Sequence, residues 1–282
     1  MTQCEARDET RYNKGLSRRI QQILDEDAPA LDAVTQLRPP VSVYRLLTPS
    51  AWRREVDAYI VRAIERGFGG VGPSAREQAE ADQLRRTLRQ MTAHLWLQYE
   101  YMTVTTAGNE PQTLLAPRAL HHTGLRRSPQ ALRRLILTVH LHHGQIAASS
   151  GTALPLALRV RRSRYDNRAV QHLMSGHAAW ALGQLPDAPA GPPHPLRRSV
   201  RHRFQTEWDR QRQRRALAAA GQQEPPPDPG PLPEEAGEKF VAAAIAGAPS
   251  IERFNEVWTR LELMPTVDEL DDAQQWLRRV GL

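Results

Sequence analysis

The run ALRRLILTVHLHHGQIAA, Ala131 to Ala148, decides the fold. Wound at about 3.6 residues per turn, it brings Leu132, Leu135, Ile136, Val139, His140, His143, Ile146 and Ala147 onto one face. Apart from two imidazoles that face is apolar, so it must pack inward. Ser128-Pro129 just upstream supplies a capping hydroxyl and a residue that needs no donor at a helix start. His142 points away from this face.

A second histidine-bearing helix is expected over 166–183. Val170, Leu173, Met174, His177 and Ala181 form its stripe. Gly176 sits inside it and costs about 1 kcal/mol relative to Ala, which is tolerable where another backbone comes close. A buried imidazole is costly without a partner. Two readings follow. His140, His143 and His177 converge as metal ligands, three imidazoles and a water making a zinc shell. Alternatively, each is hydrogen-bonded within the core.

Working outward, helical periodicity recurs near 14–26, 50–66, 74–98, 195–220, 234–246, 250–258 and 267–279. Thr48-Pro49-Ser50 and Pro73-Ser74 carry start signals, and Gly67-Phe68-Gly69-Gly70 a stop. Only VSVYRLL (Val41 to Leu47) and MTVTT (Met102 to Thr106) have strand character. The expected class is therefore mainly α. The Pro-rich stretches Pro186 to Pro195 and Gln222 to Pro233 read as loops. The expected organisation is a helical domain over 1–221 with residues 1–13 disordered, a Pro-rich loop over 222–233, and a helical tail over 234–282 on the same core.

The chain has 282 residues, enough to bury a core without staples. Its single cysteine, Cys4, excludes an internal disulfide and any zinc site built on several thiolates. It also reads as too peripheral for a nucleophile. The N-terminus is polar with no apolar leader, and a cytoplasmic protein is expected. The longest stretch free of Lys, Arg, Asp and Glu, Leu135 to Leu158, contains three His and Pro155, which suits burial better than a membrane.

The net charge of +7 is unevenly placed: residues 111–203 carry 14 basic and 2 acidic side chains. Arg126, Arg127, Arg133, Arg134, Arg159, Arg161, Arg162 and Arg164 would be the polyanion-binding set if nucleic acid were the partner. Only Lys14 and Lys239 among the 38 basic residues are lysine, a bias that a GC-rich genome produces whatever the function.

Some segments resemble a known family. FNEVWTRLELMPTVDELDDAQQWLRRV (Phe254 to Val280), EKFVAAAIA (Glu238 to Ala246), LMSGHAAWAL (Leu173 to Leu182) and the Arg-rich RRSVRHRFQTEWDRQRQRR are similar to the closing part of the actinobacterial zincin-like metallopeptidases of the second type, hydrolases associated with deazaflavin coenzyme biosynthesis. The resemblance covers roughly residues 130–282. It implies a zincin-like helical scaffold in which a His-Glu-x-x-His helix supplies two zinc ligands and a general base, and a later helix supplies a glutamate.

The chain departs from that pattern where the chemistry resides. With His140 as first ligand, Leu141 stands at the general base, Gly144 at the second histidine, and Ser175 at the later glutamate. No His-Glu-x-x-His, nucleophile elbow or phosphate loop occurs. The expectation is a catalytically inactive homologue that binds an unidentified protein or peptide and needs no cofactor. The alternatives are a zinc hydrolase with a rearranged histidine site and a nucleic-acid-binding protein.

Overall fold

The computed structural model describes residues 3–68, 100–108, 110–149, 167–188 and 234–281, with isolated positions 75, 78–79, 82–83, 85–86, 96 and 211. In these residues the protein is mostly helical, with one small mixed sheet. The first half runs β1 (Gln3–Asp8), α1 (Lys14–Thr35), β2 (Val41–Leu46), α2 (Pro49–Phe68), β3 (Tyr101–Thr105), β4 (Pro111–Leu115) and α3 (Pro117–His122). The second runs α4 (Pro129–Ala148), α5 (Asn167–Gly183), α6 (Glu234–Gly247), α7 (Ile251–Asn255) and α8 (Ala273–Val280), with 3-10 turns at Glu256–Trp258, Leu261–Leu263 and Val267–Glu269.

The sheet order is β1-β2-β4-β3; β3 alone is antiparallel to its neighbour. The register aligns Cys4 with Ser42, and Tyr44 with Thr113. Side chains alternate across a sheet, and two apolar clusters form accordingly. Tyr44, Leu46 and Leu115 join α1, α4 and α5 on one face. Leu47, Val104 and Leu114 join Trp52, Val56 and Tyr59 of α2 on the other. Trp52 anchors that layer by donating its indole N–H to the Leu114 carbonyl at 3.3 Å.

Two strands were not legible beforehand. The N-terminus, expected to be disordered over 1–13, instead contributes β1 from Gln3 onward. It is an edge strand, and α1 covers its open side. The Ala6 N–H donates to Gln21 Oε1 at 2.9 Å, and Gln21 Nε2 donates to the Cys4 carbonyl at 3.1 Å. The helix thus satisfies groups that a bare edge would leave free. Helix α1 also runs on to Thr35, past the expected end near 26, and carries Pro29 inside it. Burial of Ala28 and Leu31 on its core face accompanies the extension.

Helix α4 begins and ends where the periodicity places it, with Ser128 capping Ala131 N–H. Gly176 of α5 meets Gly237 of α6 so closely that a Cβ at 176 would lie 2.3 Å from the Gly237 carbonyl carbon. Phe240, Val241, Phe254, Val257, Trp258, Met264 and Trp276 belong to the same apolar cluster as α1, α4 and α5. The tail is pinned by Trp276, which donates to the Leu263 carbonyl at 2.8 Å, and by Arg279, which pairs with buried Glu269. Of the helix expected over 74–98, positions 75, 78–79, 82–83, 85–86 and 96 are described and all are helical, whereas the helix expected over 195–220 is described only at 211 and the loop 222–233 lies outside the described residues. Among the described residues, no helix is long and apolar enough to cross a membrane.

Candidate functional site

The histidines of α4 divide among three surroundings. His143 lies against the sheet, fully buried, its ring 5.2 Å from that of Tyr44. Its Nδ1 pairs with the Ser42 hydroxyl and its Nε2 with the Thr113 hydroxyl at 2.7 Å. A neutral imidazole has one N–H and one lone pair, so one hydroxyl accepts and the other donates. Burial, with His140 and His142 nearby, holds its pKa well below the ordinary histidine value.

His140, three residues back, faces α1 and β1. Its Nε2 is 2.9 Å from Asp32 Oδ1, both side chains being buried, and its Nδ1 is 3.9 Å from Cys4 Sγ. A carboxylate can only accept, so Nε2 carries the proton and Nδ1 faces the thiol. Arg38 stands 3.6 Å from the other Asp32 oxygen. Burial and the Asp32 charge push the Cys4 thiol up to about 11, a protonated, unactivated state at neutral pH.

His177 of α5 is fully buried in an aromatic stack. Its ring centre lies 5.7 Å from Trp180, 5.6 Å from Trp258 and 5.2 Å from Phe254. Gln145 Nε2 is 3.2 Å from its Nδ1. Burial lowers its pKa to about 3, with His142 adding to the effect. His142 itself, on a different side of α4 from His140, faces Tyr101 at 6.5 Å and is lowered to about 4 by burial.

The three imidazoles expected to converge thus have separate partners. Among the described residues, no three His, Cys, Asp or Glu side chains are grouped to hold a metal ion. The positions that a zincin would use do not fit zinc either. His140 is bonded to Asp32. Leu141 is buried in the core. A Cβ at Gly144 would already press on Leu37 at 3.1 Å, so no imidazole fits without movement of that backbone. Ser175 turns back on its own helix, donating to the Gln171 carbonyl at 2.8 Å.

The expected polyanion set is also redistributed. Arg133 makes a two-pronged pair with Asp27, both contacts at 2.7 Å, tying α4 to α1. Arg134 pairs with Glu234 of α6. These two guanidinium groups are structural ties, their charge already balanced. Arg126 and Arg127 are exposed, while Arg159, Arg161, Arg162 and Arg164 lie outside the described residues.

Beside Gly144 a cleft of about 490 Å³ opens between the end of α1, the β3–β4 turn and the end of α4. Leu37, Pro40, Pro111, Ala147 and Ala148 form apolar walls, and Arg38 and Glu110 bring opposite charges to its lining. That volume falls within the range of small-ligand and peptide side-chain sites. Asp32, Ser42, Thr113 and Gln145 were not singled out in the sequence. Asp32 lies beyond the expected end of α1 and Thr113 on an unexpected strand. Comparison with models of protein families, with curated proteins and with solved structures finds no match for this chain.

Proposed function

We propose that the chain is a zincin-like scaffold that has lost its hydrolytic chemistry and acts by binding an extended peptide segment of a partner protein. The observation that carries the reading is the state of α4 and α5 at the four positions where a zincin places its ligands and base. A bonded histidine, a core leucine, a glycine under Leu37 and a serine turned back onto its own helix occupy them. Hydrolysis by a metal-held water needs a proton acceptor beside the metal, and a leucine has none.

The cleft beside Gly144 is the binding element. Loss of the second histidine leaves a glycine on its wall, and small Ala147 and Ala148 continue that wall. Apolar walls would take a side chain, while Arg38 and Glu110 would engage the carbonyls and N–H groups of an extended backbone. A pooled library of unstructured peptides added to isotope-labelled full chain tests this by NMR. Amide shifts confined to Leu37, Gly144, Ala147 and Ala148 are expected. Shifts elsewhere, or none, would end the binding part of the reading.

A further inference from the structure

The first turns of α1 and the 3-10 turn Leu125–Arg127 together present a strongly basic surface. Leu16 and Ile20 of α1 pack in the same apolar cluster as Leu125, and Arg19 Nη1 donates to the Arg126 carbonyl at 3.4 Å. Lys14, Arg18, Arg19, Arg126 and Arg127 are all exposed. Arg133 and Arg134 have carboxylate partners, but none of these five does among the described residues. The carboxylates nearest in sequence are engaged elsewhere: Glu5 with Arg7, Glu9 with Arg45, and Asp8 within its own turn. Along α1 the first acidic residue is Asp25, two turns beyond Arg18. Positive charge gathered without a counter-charge is the footprint of a polyanion site.

An aromatic ring accompanies these charges. Tyr12, two residues before Lys14, is 91% exposed; Val267 of the tail is the other large apolar side chain left exposed among the described residues. The backbone under Tyr12 is fixed. Asp8 Oδ1 accepts from the Thr10 N–H at 3.0 Å and Asp8 Oδ2 from the Asn13 N–H at 2.6 Å. Thr10 Oγ1 accepts from the Tyr12 N–H at 3.3 Å and from Asn13 Nδ2 at 2.7 Å. Arg11 takes the left-handed backbone, φ 67°, which a residue other than glycine keeps only where its surroundings impose it. A turn tied in this way holds the ring out to solvent, with exposed Arg11 and Lys14 flanking it in the chain.

We propose that this surface binds single-stranded nucleic acid, its cations tracking the phosphates and Tyr12 stacking on a base. A single strand offers partners to both features: a row of phosphates for the charges, and unstacked bases for the ring. In a duplex the bases already stack on one another, so Tyr12 would have nothing to cover. A membrane surface would engage the charges but requires an apolar side that inserts. An acidic protein partner requires an apolar centre to the interface. Among the described residues, Tyr12 is the one large apolar side chain exposed here. The surface is separate from the peptide cleft, which begins at Gln36, about 27 Å along the helix from Arg18.

The test is fluorescence anisotropy of labelled oligothymidylate and oligouridylate, about twelve nucleotides each, titrated with full chain; binding of either supports the proposal, and the tighter one says whether DNA or RNA is preferred. With about four phosphates contacted, affinity should fall about 500-fold between about 20 and about 200 mM salt. Y12A should weaken binding about tenfold and Y12W should not, because stacking needs the ring and not the hydroxyl. R18E/R127E should weaken it at least about tenfold. R53E/R54E makes the same change in net charge on α2, across the sheet, and should leave binding within about twofold. All five side chains are exposed, so the variants should keep wild-type circular dichroism. No binding at low salt, equal binding of a duplex of the same length, or losses in Y12A and R18E/R127E no larger than in R53E/R54E overturns the proposal. So does displacement of the strand by poly-glutamate at equal charge, which would assign the surface to an acidic protein, or sedimentation with phosphatidylserine vesicles without oligonucleotide binding, which would assign it to a membrane. Each of these results leaves the peptide-cleft reading standing, since that reading is decided by amide shifts at Leu37, Gly144, Ala147 and Ala148.

Discussion

The crossing of α5 and α6 gives a prediction in which local propensity and packing have opposite signs. In a helix interior, Gly176→Ala should stabilise by about 1 kcal/mol. In the folded protein the new Cβ would lie 2.3 Å from the Gly237 carbonyl carbon and oxygen and 2.8 Å from its Cα. These are backbone atoms, which no rotamer change can move aside. Restoring ordinary contact requires the helices to part by about 1 Å, which loosens the packing of Leu173, Phe240 and Val241 across the same interface. Overpacking of this kind costs about 1–3 kcal/mol and sometimes more. With backbone as the obstacle the upper end applies, so the net effect is a loss of about 2 kcal/mol. Gly237→Ala meets the His172 carbonyl at 2.8 Å and should cost less. Gly247→Ala meets the side-chain ends of Leu277 and Gln274, with no backbone in the way, and should be near neutral, while Gly15→Ala meets nothing and should stabilise slightly. Urea denaturation followed by circular dichroism, with unchanged m values, reads all four. A Gly176→Ala protein as stable as wild type, or one that shifts in the same direction as Gly15→Ala, refutes the reasoning.

Three more outcomes are expected. Because burial lowers the pKa of His142, His143 and His177 in the folded state, acid favours the unfolded chain, whose histidines protonate below about pH 6.5. Stability is therefore fully present above that pH and falls on acidification toward about pH 4, with about 2 kcal/mol lost per fully buried ring by pH 5. Urea midpoints of metal-free protein at pH 7.5 and 5 measure it, and equal midpoints would contradict it. Thr113→Val keeps the side-chain shape but removes the hydroxyl at His143 Nε2, and should cost about 1–3 kcal/mol in the same assay; a neutral result would mean that the bond contributes nothing. Glu269→Gln removes the charge that buried Glu269 offers Arg279 while leaving the Thr266 N–H an acceptor, and should cost about 2 kcal/mol, against no change if the pair is incidental.

How much of this was legible depended on whether the signal was local. Helix α4 was readable end to end because its apolar period, its Ser-Pro start and its length agree. The close approach at Gly176 was also readable, since a glycine inside an apolar helix has few other reasons to be there. The sheet was half readable. Strand β2 is a run of β-branched and aromatic residues, but β1 is polar and owes its place to pairing with β2 and to Gln21, both set by tertiary structure. Helix α1 outlasts its own propensity past Pro29, and that extension is what delivers Asp32 to His140. The site suffered most. Sequence spacing grouped His140 with His143 by shared face, yet the sheet and α1 each claim one of them. His142, set aside as facing elsewhere, is half-buried with its ring 6.5 Å from that of Tyr101. A helical wheel says which residues share a face and is silent on what lies opposite.

The central proposal is that α4 does not support metal-assisted hydrolysis, and turnover tests it most directly. Full-length protein supplied with one equivalent of zinc is incubated with an internally quenched peptide library, with and without a chelator. The account predicts no chelator-sensitive cleavage from wild type and none from His140→Asn. Chelator-sensitive cleavage by wild type that disappears in His140→Asn would contradict it.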